Sequence, residues 1–319
     1  MKAVVFEDGR MDYREVPLPA LARGEALVQV NLAGICATDL EMLKGYRPFS
    51  GILGHEFVGV VAQAPEYPAW AGRRVVGEIN ITCGTCSACR AGRSNHCERR
   101  TTLGISERQG VFAEFVAMPF VNLHRVPDTV PDEVAVFTEP LAAALEILEH
   151  APVRPSDRVL VVGAGRLGQL VAQALGLTGC DLRVVARYPH QAHLLQARGI
   201  PCLAESEVPQ KKFNLVVEAS GSPEGFRLAQ QAIRPRGTLV LKSTMAGEMP
   251  LNLSPLVVDE ITLIGSRCGP FKPALRILEE GRIDPRPLIA ARYPLSQALA
   301  AFDEAARPGV LKVLLDPGG

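Results

Sequence analysis

Residues 158–162 (Arg-Val-Leu-Val-Val) run straight into Gly163-Ala164-Gly165-Arg166-Leu167-Gly168, which opens an amphipathic stretch at 167–177. An aliphatic run, a glycine turn and a helix in that order leave few folds open. Gly163 permits the tight turn, Gly165 the close approach of a pyrophosphate, and Gly168 the packing of helix on strand. The helix N-terminus, at Arg166 and Leu167, supplies N–H donors and positive dipole to phosphates. A merely tight strand–helix turn is the plainer reading of the same residues. Further apolar runs at 182–186, 215–218, 238–241 and 261–265 alternate with helical periodicity at 190–198 and 223–233. Strands alternating with helices of that length predict right-handed crossovers and a doubly wound parallel sheet, the Rossmann arrangement of an α/β protein.

The tip of the second strand bears on which nucleotide fits. An Asp or Glu there binds the ribose 2′-hydroxyl of NAD. This chain has Ala186-Arg187-Tyr188 instead, with Asp181 at the opposite end of the strand. A guanidinium pairs with a 2′-phosphate, so Arg187 favours NADP over NAD. As an ordinary solvated arginine, it would leave the site open to NAD.

Composition narrows the remainder. Across 319 residues, 34 basic side chains balance 34 acidic ones, which argues against a nucleic-acid binder or an anionic-membrane binder. The apolar run after Lys2 ends at Glu7, too short for a signal peptide, and no stretch is apolar for the length of a membrane span. A cytoplasmic protein is expected, where the eight cysteines serve as metal ligands or core residues rather than disulfides. Cys83-x2-Cys86-x2-Cys89-x7-Cys97 gives four thiolates on glycine-containing loops, enough to close a tetrahedron around Zn²⁺ and leave no position open. Such a site is structural and folds the lobe at 80–100. An iron–sulfur cluster also takes four cysteines, but the spacing differs from the ferredoxin runs and no Cys-Pro follows. A dispersed set, Cys36, His55-Glu56 and Glu139, offers a thiolate, an imidazole and carboxylates, suited to a zinc with an open position. Taken singly, the same residues read as core, cap or surface groups.

Gly34-Ile35-Cys36-Ala37-Thr38-Asp39, Gly54-His55-Glu56, the four-cysteine lobe, Glu139-Pro140-Leu141 and the Gly163–Gly168 loop together resemble the zinc-containing medium-chain dehydrogenases/reductases. That family includes alcohol, polyol, threonine and glucose dehydrogenases. The resemblance covers nearly the whole chain. It implies a β-rich GroES-like catalytic domain from both chain ends (1–138 and 282–319) and a Rossmann domain at 139–281, with the active site in the cleft between them. It implies two zinc ions per chain, one structural and one catalytic, the latter with Cys36, His55 and Glu139 as ligands or near-ligands and Glu56 binding directly in some states, in exchange with water or substrate. It further implies that Thr38 relays the substrate proton, that Asp39 orients His55, and that Ser220, Ser243 and Arg267 line the nicotinamide half. Lys312 either neutralises the carboxylates behind the metal or is a surface lysine.

Two departures from the family pattern stand out. Glu41 occupies the place where many relatives carry a histidine at the solvent end of the proton relay. The segments 41–51 and 63–70 are trimmed, which changes the pocket. Glu41 and Arg187 together tilt the expected substrate toward polyhydroxylated molecules. The expected partners are a small alcohol, polyol or sugar and one or three further copies of the chain, with no nucleic acid and no membrane. Two other readings remain: a nucleotide-sensing protein that kept the fold without turnover, and a nucleic-acid module built on the lobe arginines Arg90, Arg93, Arg99 and Arg100.

Overall fold

The computed structural model describes residues 1–244 and 252–318. Its contacts divide the chain into two units, Met1–Glu139 with Phe271–Gly319, and Pro140–Pro270. The sequence reading put the second boundary at 281/282. The intervening helix Phe271–Glu279 instead belongs to the first unit. Phe271 is buried, and its ring stacks on the His124 imidazole with centroids 5.3 Å apart.

The first unit is β-rich. Its largest sheet runs in the order Leu123–Arg125, Arg74–Gly77, Glu56–Gln63, Glu25–Ile35, Lys312–Asp316, Ile289–Pro294, with Phe115–Pro119 also pairing with Glu25–Ile35. The long strand Glu25–Ile35 is buried on both faces toward its end, so its apolar–polar alternation fades after Val30. The C-terminal strand Lys312–Asp316 lies antiparallel beside it, pairing Val313 with Ile35. The N-terminal hairpin, Lys2–Glu7 with Arg10–Glu15, adds the strand Gly51–Ile52 to form a small separate sheet.

The second unit holds a six-stranded sheet ordered Cys202–Leu203, Asp181–Val185, Arg158–Val162, Phe213–Glu218, Ile233–Leu241, Thr262–Gly265, with every pairing parallel. In sequence order that is 3-2-1-4-5-6, the doubly wound pattern, whose direction reverses between Arg158–Val162 and Phe213–Glu218. The five expected strands are found to within a residue or two except Ile233–Leu241, which starts five residues before the expected 238, and the edge strand Cys202–Leu203 was not expected. Pro235 and Gly237 lie inside the observed strand. The chain absorbs them in a register shift, with Arg236 at φ 58° and its N–H bonded to the Asp259 carbonyl. Leu160, Val162, Val216, Phe226 and Leu239 form the core of this unit.

Candidate metal centres and cofactor cradle

The first centre is assembled by three neighbouring strands and one helix start. Gly34 sits opposite Glu56 in the sheet, and Lys312 begins the strand on the other side of Glu25–Ile35. Because Gly34 lacks a side chain, the flanking Glu56 and Lys312 meet across it: a Cβ there would stand 2.5 Å from Glu56 Oε2 and 3.3 Å from Lys312 Cδ. Lys312 Nζ donates to Glu56 Oε2 and, at 3.3 Å, to the Ile35 carbonyl, with both side chains almost fully buried. The Phe137 ring lies 5.9 Å from the ammonium. Lys312 is thus not a surface lysine. A carboxylate this deep needs such a partner, since an unpaired buried charge is costly.

Immediately after Ile35, Cys36 caps the helix Ala37–Leu43. The Asp39 carboxylate reaches back in a capping box, accepting the Cys36 N–H at 2.8 Å through Oδ2. Its other oxygen lies 3.3 Å from His55 Nδ1, and no well-aligned hydrogen bond satisfies either atom. One buried carboxylate therefore steadies both Cys36 and His55. Burial, the largest influence, pushes the His55 imidazolium pKa down. The Asp39 charge and the Cys36 thiolate outweigh it and hold that pKa well above the usual value. With Nδ1 turned to Asp39, the other ring nitrogen is the one left for a metal.

Donor atoms of Cys36, His55 and Glu56 all lie within 4.8 Å of one another. A thiolate, an imidazole and a carboxylate at that separation fit zinc with a position to spare. Glu139 is outside that group; it is half-buried on the first turn of the helix Thr138–His150. Thr38 Oγ1 is 3.8 Å from Cys36 Sγ. Glu41, one turn on, pairs with Lys44 at 2.7 Å and is 23% exposed.

The second centre is the lobe. Donor atoms of Cys83, Cys86, Cys89 and Cys97 also converge within 4.8 Å, and the Cys83–Cys97 and Cys86–Cys97 sulfurs are 3.5 and 3.9 Å apart. A tetrahedron with Zn–S bonds of about 2.3 Å has edges of about 3.8 Å, so the four sulfurs fit such an ion. The thiols are also the lobe's core: Cys86, Ala88 and Cys97 are buried, with Cys83 and Cys89 packed against them. Gly84 and Gly92, at φ 68° and 73°, turn the chain between ligands. Backbone N–H groups of Thr85 and Cys86 lower the Cys83 thiol to about 5, while burial and neighbouring thiols push Cys89 up to about 11.

In the second unit, Gly163 is at φ 107°, and a Cβ there would strike Ser220 N at 2.8 Å; one on Gly168 would stand 2.0 Å from the Gly163 carbonyl oxygen. Glycine is thus required for the turn and for helix packing, as the spacing predicts. Gly165, just before the helix Arg166–Gly176, has open space where a Cβ would go, which leaves its backbone accessible to a phosphate. The facing strand ends at Glu218, where the 215–218 run places it, but sequence reading missed the role of its carboxylate. This buried carboxylate accepts from Ser220 N at 2.7 Å, Ser220 Oγ at 2.5 Å and Gly221 N at 3.0 Å, fixing that loop. Ser243 lies against it, with its Cβ 3.5 Å from where a Gly221 Cβ would sit. Arg267 is exposed, and its guanidinium is 3.6 Å from Cys268 Sγ. Ala186 is half-buried, and the neighbouring Arg187 is exposed, with its guanidinium 3.5 Å from Glu205 Oε1. No signal in the sequence pointed to Glu205 as that partner.

Residues 22–128 match the alcohol dehydrogenase GroES-like domain, and residues 167–280 match the zinc-binding dehydrogenase domain. An L-threonine 3-dehydrogenase of Streptomyces coelicolor is 32% identical over 99% of this chain and 99% of its own length. A D-altritol 5-dehydrogenase of Agrobacterium fabrum is 32% identical over 98% of each. Among solved structures, a zinc-binding dehydrogenase of Sinorhizobium meliloti bound to NADP superposes with a TM-score of 0.91, at 28% identity over 99% of both chains. With both halves of the fold matched in order and relatives aligned from end to end, this chain belongs to the zinc-containing medium-chain dehydrogenase/reductase family.

Proposed function

We propose that this protein is a zinc-dependent, NAD(P)-linked oxidoreductase that moves a hydride between the nicotinamide and an alcohol, polyol or sugar hydroxyl, or the matching carbonyl. The observation that carries this reading is the convergence of Cys36, His55 and Glu56 around one point with Asp39 bracing the first two. Zinc is held by Cys36 and His55, with Glu56 and Glu139 as exchanging carboxylates, and a second ion by the four lobe thiolates. When bound, the first ion supplies Lewis acidity that eases loss of a substrate hydroxyl proton. Thr38 Oγ1 accepts that proton and passes its own outward, with Glu41 at the solvent end. Lys312 holds Glu56 in place, and Asp39 holds the imidazole oriented. A bound nicotinamide would supply the hydride acceptor, and Ser220, Ser243 and Arg267 would line its half of the cradle.

NADP is the preferred cofactor in this reading. Arg187 supports it, as does the NADP bound by the Sinorhizobium meliloti relative. The Glu205 carboxylate beside Arg187 favours a second reading, NAD, since an acid near that end repels a 2′-phosphate. The protein works in a reducing cytoplasm, where thiols remain available to metal. Among the described residues no helix is long and apolar enough to cross a membrane. It associates through the edge strand Thr262–Gly265, which pairs on one side only within the six-stranded sheet and carries an exposed Leu263.

A screen of alcohols, polyols and aldoses with NAD⁺ and NADP⁺, followed by the absorbance of reduced nicotinamide, tests the proposal. Turnover that a chelator abolishes and added zinc restores is the expected result. A zinc-loaded, cofactor-binding protein with no turnover on any of them would return the chain to the sensing role.

A further inference from the structure

Lys242 follows the strand Ile233–Leu241 and is only 7% exposed. Its backbone N–H donates to the Glu218 carbonyl at 2.9 Å, and its Nζ donates to Ser266 O at 3.1 Å and Ser266 Oγ at 3.0 Å. Ser266 is equally buried, and its own N–H donates to the Leu241 carbonyl at 3.0 Å. The Lys242 side chain thus ties the C-terminal end of its own strand to that of Thr262–Gly265, while its backbone pairs with Phe213–Glu218, all at the edge where parallel sheets take their ligands. Glu146, mostly buried on the helix Thr138–His150, lies close enough for the Lys242 and His150 charges to oppose the upward push of burial on its carboxyl. An ammonium out of water is costly, and sheet pairing alone does not call for one here.

The residues next to the two tied points are Ser243 and Arg267, both assigned above to the nicotinamide half. We propose that Lys242 is a positioning residue for the nicotinamide: its ammonium fixes the segment holding Ser243 against the segment holding Arg267, so that the two form one preset surface. This rests on the dehydrogenase reading. The pyrophosphate cradle at Gly163–Gly168 follows a strand on the other side of the sheet's reversal point and keeps its own contacts.

The test compares Lys242→Met with wild type for binding of NADPH and NADH and of the same nucleotides without the ring, 2′-phospho-ADP-ribose and ADP-ribose. The expected result is a tenfold or greater loss of dinucleotide affinity with ring-free affinity unchanged. The change in nicotinamide fluorescence on binding should also be lost, and Lys242→Arg should restore part of both. Ser266→Ala, a milder change that keeps the carbonyl acceptor, should move dinucleotide affinity two- to fivefold in the same direction and carries the test if Lys242→Met does not fold. Equal losses for both ligand types, or no loss for either in either variant, would overturn the proposal. A wild-type protein that binds neither ligand would instead remove the dehydrogenase reading on which it rests.

Discussion

Asp39 shows how much one side chain can settle. With one oxygen on the Cys36 N–H and the other facing His55, it links a helix cap to a ring orientation. Asp39→Asn keeps the size and removes the charge, so zinc affinity and activity should fall roughly 10- to 100-fold, the usual range for partners of metal-bound histidines, with little change in fold. Metal content after dialysis against a weak chelator, read beside circular dichroism, checks this. Gly34→Ala puts a methyl against the Glu56 carboxylate, a clash in a closed core that should destabilise by about 1–3 kcal/mol, measurable by urea unfolding. At Arg187 the two cofactor readings separate. A charged hydrogen bond to phosphate is worth roughly 1.5–3 kcal/mol, so Arg187→Asp should cut kcat/KM for NADP⁺ on the order of 10- to 100-fold, while Glu205→Gln should raise it. If NAD is the natural cofactor, the first change leaves NADP⁺ discrimination where it was.

At the scale of elements, the lobe is a unit whose core consists of its own ligands. Because its ligands are also its packing, chelation should open residues 83–97 to hydrogen exchange while the six-stranded sheet stays protected, as mass spectrometry of backbone exchange would report. The thiol chemistry fixes the pH dependence. In the metal-free lobe Cys83, at about 5, is a thiolate at neutral pH, and Cys89, at about 11, is a thiol. Iodoacetamide should therefore label Cys83 first, down to about pH 5, and the contribution of that thiolate is lost as pH falls through this value; zinc should block the labelling. The strands and helices of the second unit were readable because short aliphatic runs and amphipathic stretches take turns. The capping carboxylate Glu218, the buried Lys242 and the Glu205 partner of Arg187 were not, because each acts through contacts that tertiary packing creates. The motifs around Cys36 and His55 named the donors of the first centre. Only the strand register explained why Gly34 must be glycine and why Lys312 is buried.

For the whole molecule, the proposed association turns on an edge. Among the described residues Thr262–Gly265 is an edge strand that carries an exposed Leu263, and the preceding short helix Ser254–Val258 leaves Val257 and Val258 more than three-quarters exposed. Leu263→Lys should shift the proposed dimer toward monomer in sedimentation velocity without lowering the melting temperature of the second unit. The pairing of Lys312 with Glu56 has a consequence in time. These partners are 256 positions apart in the chain, whereas the whole of Pro140–Pro270 is synthesised before the lysine exists. On the ribosome the nucleotide-binding half can finish folding while the metal-binding half still waits for its last strand. Until that strand arrives Glu56 lacks this counter-ion, so the first metal centre is completed only after the nucleotide-binding half has been made.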